Sequence, residues 1–280
     1  MTAVSLAVSI ASIVLLYLVA ARMLSSARFG VAAVAIFTLT PLLWQQSQPA
    51  PASLSPLLFV IGWLWAVSYL AEDRAFWWPA ALGAILGAGV YTSNAAAVMM
   101  PLYLLLTIAV AGYIGAVSWR QLGVVAGVFV VAVAPMAVSF IRHPDGFRSI
   151  VNAHHIYDAN LFNPRQGVRE IVSWVGLTAR SEVYYDYFNP AFLFLTGRVL
   201  LMPLAVLIPA GFVQMVSHER TLLTRVSIAG FLAAPFAASL TADAPTPARI
   251  LFITPFAAIV SAYGLKWLLA WRHWTRTFTS

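Results

Sequence analysis

Long apolar runs alternate with short polar joints along most of the chain. Nine such runs fall at roughly 3–20, 30–44, 56–71, 77–92, 96–117, 122–140, 199–216, 226–240 and 250–270, each rich in Leu, Ala and Val. They lack the period-two alternation of a lipid-facing strand, so they predict helices rather than a barrel. Several approach the ~20 residues that cross a bilayer core, and the shorter ones are expected to tilt or to be partly re-entrant. The expected fold is all-α: a polytopic helical membrane protein with about nine transmembrane helices, forming a single transmembrane domain over residues 1–280.

One stretch breaks the rhythm. From Ile141 to Trp174 the chain reads IRHPDGFRSIVNAHHIYDANLFNPRQGVREIVSW, with three of the five histidines and three of the nine carboxylates. Two short helices are expected within it. Asp145 can cap the first, which would carry Phe147, Ile150, Val151 and His154 on one face and Arg148, Asn152 and His155 on another. Asn163 and Pro164 open the second, with an apolar stripe of Val168, Ile171, Val172 and Val175 and a stop at Gly176. With Trp174 and flanking arginines, that helix fits either the outer leaflet or the top of the bundle. The lead-in SEVYYDYFNPAFLFLTGR (Ser181 to Arg198) then places tyrosines, Asp186 and Asn189 before the next apolar run.

Composition agrees with the pattern: 61% of residues are hydrophobic and 9% charged, where a soluble domain carries about 25% charged residues. The net charge of +7 reflects basic residues in short joints, which points to membrane topology and away from nucleic acid. Without Cys, neither disulfides nor thiolate chemistry is available. No basic region precedes the first run, so no cleavable signal peptide is expected.

Placing Arg22 and Arg28 in the cytoplasm fixes the remaining sides by alternation. Glu72, Asp73 and Arg74, then Arg120, the Arg220–Arg225 joint and the C-terminal tail all fall inside, Glu72–Arg74 as a solvated loop. Residues 141–198 become an extracytoplasmic loop region containing short helices, and 45–55, 92–96 and 241–249 are short outer loops. The expected location is a bacterial plasma membrane. The first residue then lies outside.

Three stretches carry a family likeness. GAILGAGVYTSNAAAVMMPLYLLL (83–106), YYDYFNPAFLFLTG (184–197) and DAPTPARILFITPFAAIVSAYGL (243–265) resemble, in this order, segments of the GT-C membrane glycosyltransferases. The nearest branch is the protein-mannosyltransferase-like and aminoarabinose-transferase-like one. The resemblance implies transfer of a sugar from a polyprenyl-phosphate carrier to an acceptor protein, lipid or glycan at the outer membrane face. It also implies a carboxylate as general base and basic and aromatic groups around the lipid phosphate.

The departures are equally specific. The family's catalytic Asp follows its first transmembrane helix, whereas this chain begins at the family's second, so the N-terminal helix and acidic loop are expected to be missing. Loop 45–55, QQSQPAPASLS, has no carboxylate, and Thr246 and Pro247 stand where the family has His before its Arg.

The resemblance makes Arg249 the carrier-phosphate clamp, since guanidinium matches phosphate oxygens in bidentate fashion; its plainer role is a snorkelling anchor. Tyr91 and Asn94 end the fourth run as carrier- or acceptor-site residues, or else as an interface Tyr and a helix cap. Tyr185, His143 and His155 complete the binding candidates. The catalytic base is not fixed: the outer carboxylates Asp145, Asp158, Glu182 and Asp186 are scattered, and Asp145 and Asp186 are the candidates among them. His154 and His155 point about 100° apart on a helix, so they form no two-histidine metal site; the sequence leaves a divalent metal open. The other reading is a catalytically inactive lipid-binding or transporter-like membrane protein, although the spans lack the mid-membrane acids and bases of ion-coupled transport.

Overall fold

The computed structural model describes residues 3–47, 55–72, 75, 77–158, 160–241 and 243–277; for residues 3–5, 47 and 271–277 only the backbone is described. The expectations for Asp73, Arg74 and most of loop 45–55 lie outside the described residues. Every regular element among the described residues is helical.

The first half comprises α1 (Ala3–Leu24), α2 (Ala27–Leu39), α3 (Pro41–Ser47), α4 (Ser55–Leu70), α5 (Trp77–Gly89), α6 (Asn94–Ile114) and α7 (Trp119–Arg142). Three short helices follow: α8 (Pro144–Ala153), α9 (Pro164–Val172) and α10 (Trp174–Asp186). The chain closes with α11 (Leu204–His218), α12 (Leu222–Ala233), α13 (Phe236–Ser239) and α14 (Ile253–Thr277).

Among the described residues, five apolar stretches are long enough to cross a membrane: Leu6–Leu24, Asn94–Ile114, Trp119–Arg142, Leu222–Ser239 and Ile253–Ala270. Helices α2, α4 and α11 are apolar but shorter. The run 30–44 divides at Thr40, because Pro41 has no N–H to continue α2 and opens α3 instead. The run 77–92 tightens into a 3-10 turn, Val90–Thr92, after Gly89.

Glycines set the closest helix contacts. A Cβ on Gly83 would fall 2.5 Å from the Val125 carbonyl oxygen, and one on Gly87 would fall 2.4 Å from Ala132 Cβ, so α5 and α7 run parallel in near-backbone contact. Helices α11 and α14 meet at Gly211 and Gly264, where added Cβ atoms would fall 1.9 Å from the Val260 oxygen and 2.0 Å from the Leu207 oxygen. Of the apolar stretch of α14, 67% is buried, against 11% of α7, so α14 lies inside the bundle and α7 at its rim. Trp63 of α4 stacks on Tyr103 of α6 at 4.5 Å and donates to Thr107 Oγ1 at 2.9 Å; Phe256 of α14 meets the Trp63 ring edge-on.

The bundle has two chemically distinct ends. At one, Tyr263 Oη donates to the Met23 carbonyl and Lys266 Nζ to the Leu24 carbonyl. Arg22 pairs with Glu72 there, and its guanidinium lies 4.1 Å from the centre of the Tyr69 ring. At ~1.5 Å per residue, Lys266 is about 20 Å along α14 from its first turn. The turn holding Arg249, Pro247–Ile250, leads into that first turn at the opposite end.

The segment 141–198 differs from expectation in two details. Helix α8 begins at Pro144, so Asp145 sits within its first turn, 3.6 Å from Arg148, and makes no cap. Asn163 does cap α9, in a reciprocal box with Gln166, but that helix ends at Val172. Ser173 accepts from the Gly176 N–H and starts α10, so Gly176 lies inside a helix rather than ending one. Of the expected apolar face of α8, Phe147 and Val151 pack together with Tyr157, Ile156 and Ile171 from beyond that helix.

Candidate functional site

The turn before α14 is built around two prolines. Thr246 is held extended (φ −124°, ψ 141°) before Pro247, as pre-proline sterics favour. The chain therefore doubles back, and Arg249 meets residues just upstream of it. Its Nη1 donates to Thr241 Oγ1 at 2.8 Å and its Nη2 to Asp243 Oδ2 at 2.9 Å. A guanidinium has five N–H donors, so this pairing fixes the plane while leaving donors for a further oxygen ligand. The side chain is 33% exposed and thus reachable from solvent.

His155 comes to the same carboxylate from α8. Its Nδ1 lies 3.8 Å from Asp243 Oδ1, too long for a hydrogen bond but close enough for charge attraction. The residue takes φ 50° just past the helix end, where the Ile156 N–H returns to the Val151 carbonyl. That left-handed position closes a helix and usually holds Gly; here it turns His155 away from α8. His154 beside it faces elsewhere: its Nδ1 lies 2.9 Å from the Ile150 carbonyl and its Nε2 3.5 Å from Asn94 Nδ2.

Tyr187, fully buried, forms the third side. Its hydroxyl accepts from the Thr246 N–H at 3.4 Å and its ring packs edge-on against Phe192. Burial raises its phenol above the ordinary value; the Thr246 hydrogen bonds and the Arg249 charge oppose that rise.

Arg180 of α10 ties the surroundings together through three backbone carbonyls. Nε donates to Leu240 at 3.1 Å, Nη1 to Gly176 at 3.0 Å and Nη2 to Ile156 at 2.7 Å. Burial lowers its pKa from the usual guanidinium value, with Glu170 acting in the opposite sense. Tyr184 adds a hydrogen bond of 2.7 Å to the Leu232 carbonyl, fastening α10 to α12.

Of the residues singled out from sequence, the structure brings Arg249 and His155 together through Asp243. Asn94 is one step removed, through His154. Tyr91 donates to the Ala132 carbonyl at 2.8 Å and joins the end of α5 to α7. Tyr185 is 70% exposed, and His143 is exposed at the start of α8. Asp145, 92% exposed, pairs only with Arg148, and Asp186 is exposed at the end of α10. None of these makes a hydrogen bond or ion pair with Arg249, Asp243 or His155.

Asp243, Thr241 and Tyr187 are the site residues that sequence reasoning missed. Asp243 had a signal: it opens the DAPTPAR stretch that ends in Arg249, and prolines there force a tight return. Among the described residues, no three His, Cys, Asp or Glu side chains converge as metal ligands would. Comparison of the chain with protein-family models, curated proteins and solved structures finds no match.

Proposed function

We propose that this protein is a membrane glycosyltransferase of the GT-C kind, or the larger part of one. It would move a sugar from a polyprenyl-phosphate carrier to an acceptor outside the cytoplasmic membrane. The observation that carries the reading is the held guanidinium of Arg249. It sits at the mouth of the bundle, aligned by Thr241 and Asp243, at the end opposite Arg22 and Lys266. A fixed fork at the membrane surface suits the phosphate of a lipid whose chain lies along the helices. Phosphate is the leaving group, and positive charge beside it stabilises the charge that develops there.

Nine crossings fit this reading if α2, α4, α5 and α11 count as tilted or interrupted spans alongside the five long ones. The Arg22 end then faces the cytoplasm, and 141–198 lies outside.

The test uses protein in lipid nanodiscs with undecaprenyl phosphate as the binding probe, and polyprenyl-phosphate mannose, glucose and aminoarabinose as donors. Arg249→Ala should weaken binding by about tenfold or more, the worth of one charge-assisted contact, and donor consumption should fall with it. Unchanged binding and turnover would remove Arg249 from the site. A binding protein without chemistry is the second reading, favoured because Asp145 and Asp186 stand apart from Arg249 and Asp243 is already committed to it. Tight binding of undecaprenyl phosphate with no donor consumed would select it.

A further inference from the structure

A cleft of about 690 Å³ opens beside the Arg249 cluster, between the end of α8, the joint leading from it and the corner of α9 and α10. Its polar rim is Asn152, His155, Asp158, Asn160, Glu170 and Ser173. The volume falls in the range of small-molecule sites, roughly 300–1,000 Å³, although the lining is more polar than most.

The walls are held rather than incidental. Gly167 lets α9 lie against the Tyr157 ring, where a Cβ would come within 2.5 Å, and Gly176 lets the α10 backbone pass the Glu170 carbonyl, where a Cβ would fall 2.2 Å away. Arg180 pins the floor from three sides.

Charge selects the ligand class. Three of the five N–H donors of Arg180 are held by carbonyls and His155 faces Asp243, while Asp158 and Glu170 on the rim repel an incoming anion. A cation is drawn by those carboxylates but opposed by Arg180 in the floor. What the cleft offers is hydrogen-bonding capacity from carboxylates, amides and a hydroxyl, which suits a neutral, hydroxyl-rich molecule. His155 lies on the border between this cleft and the Arg249 turn.

We propose that the cleft binds the acceptor as a neutral glycan or glycoside, and that His155 takes the proton from its reacting hydroxyl. The assignment as acceptor rests on the transferase reading; the binding of a glycoside does not. Asp243 beside Nδ1 favours the tautomer with the proton there, which leaves the Nε2 lone pair free. The acceptor oxygen bonds to the anomeric carbon of the donor as that carbon's bond to phosphate oxygen breaks. The electron pair leaves on the polyprenyl phosphate beside Arg249, and the acceptor proton passes to Nε2 of His155.

The experiment has two arms, both in nanodiscs. In the first, saturation-transfer NMR probes methyl α-mannoside, methyl β-glucoside, methyl β-galactoside and maltose. At least one should give a signal that Arg249→Ala leaves intact and that Asn160→Trp, an exposed substitution filling the rim, reduces by about fivefold or more. No signal from any probe, or an equal signal in Asn160→Trp, overturns the cleft as a glycan site. In the second arm, His155→Gln should keep undecaprenyl-phosphate binding within about twofold while donor consumption falls about a hundredfold, as expected for a lost general base. Consumption within about threefold of wild type, or none by the wild type, overturns the role of His155. Failure of the transferase reading shows separately, as no donor consumed by the wild type, while the first arm still decides whether the cleft binds a glycoside.

Discussion

Arg249 holds its charge in a planar arrangement that lysine cannot copy. Two donors on one guanidinium reach Thr241 and Asp243 at once, at 2.8 and 2.9 Å. Lysine keeps the charge but offers a single point, so Arg249→Lys should still weaken undecaprenyl-phosphate binding, by about tenfold. Equal affinity would mean that charge alone matters there. Tyr187 gives a residue-scale prediction of pH dependence. Burial raises its folded pKa above the unfolded value, so the neutral phenol contributes stability that is complete below the unfolded pKa, near 10. That contribution is lost as pH climbs through the higher folded pKa, because only the unfolded chain ionises readily. Thermal melts between about pH 9.5 and 11.5 should fall less steeply for Tyr187→Phe than for wild type; parallel curves would show that another group governs the alkaline loss. Arg249 was singled out in the sequence through the resemblance carried by residues 243–265 and, more plainly, as an anchor at the outer end of the last apolar run. Asp243 was missed although the prolines around it signal a chain reversal, and Tyr187 gave no signal, because it reaches Thr246 from 59 residues away.

Helices in this chain meet where side chains are absent. The α11–α14 crossing depends on Gly264, whose added Cβ would sit 2.0 Å from the Leu207 carbonyl oxygen. Gly264→Ala should therefore cost about 1–3 kcal/mol through forced separation of the two backbones. Gly123→Ala in α7, with nothing within 4 Å, serves as the control and should be neutral or slightly stabilising. Detergent melts of the two variants decide it, and equal melting temperatures would show that the crossing yields without cost. Sequence reading handled such glycines least well. Gly176 was expected as a helix stop, yet it permits close passage of the Glu170 carbonyl, and the break came three residues earlier, where Ser173 caps a new helix. Glycine serves both purposes, and only the neighbours reveal which. Asn163 with Pro164 was readable because a cap and a first-turn proline stand side by side and need no tertiary information, whereas Gln166, which closes the capping box, was not read. Hydropathy found the apolar runs but not their lengths, since Pro41 and the turn after Gly89 interrupt helices without changing composition.

The whole molecule carries its polar groups as a dipolar body would, with different chemistry at each end of α14. Arg22, Glu72 and Lys266 gather at one end, and Asp243, Arg249 and His155 at the other. In the proposed orientation the first end meets the cytoplasm. The second would then meet the outer leaflet, and Val168, Val172, Trp174 and Val175 are exposed there beside Arg165 and Arg169. Because the chain has no Cys, a single introduced thiol reports its own side of the membrane without background. Asn160→Cys and Arg220→Cys are both at exposed positions, one beside the cleft and one in the joint between α11 and α12. A membrane-impermeant maleimide added to intact cells should modify the first and spare the second until the membrane is broken. Labelling of Arg220→Cys alone would invert the bundle, place Arg249 in the cytosol and end the case for an external acceptor. Labelling of both before lysis would mean that α11, the one proposed span between the two positions, does not cross.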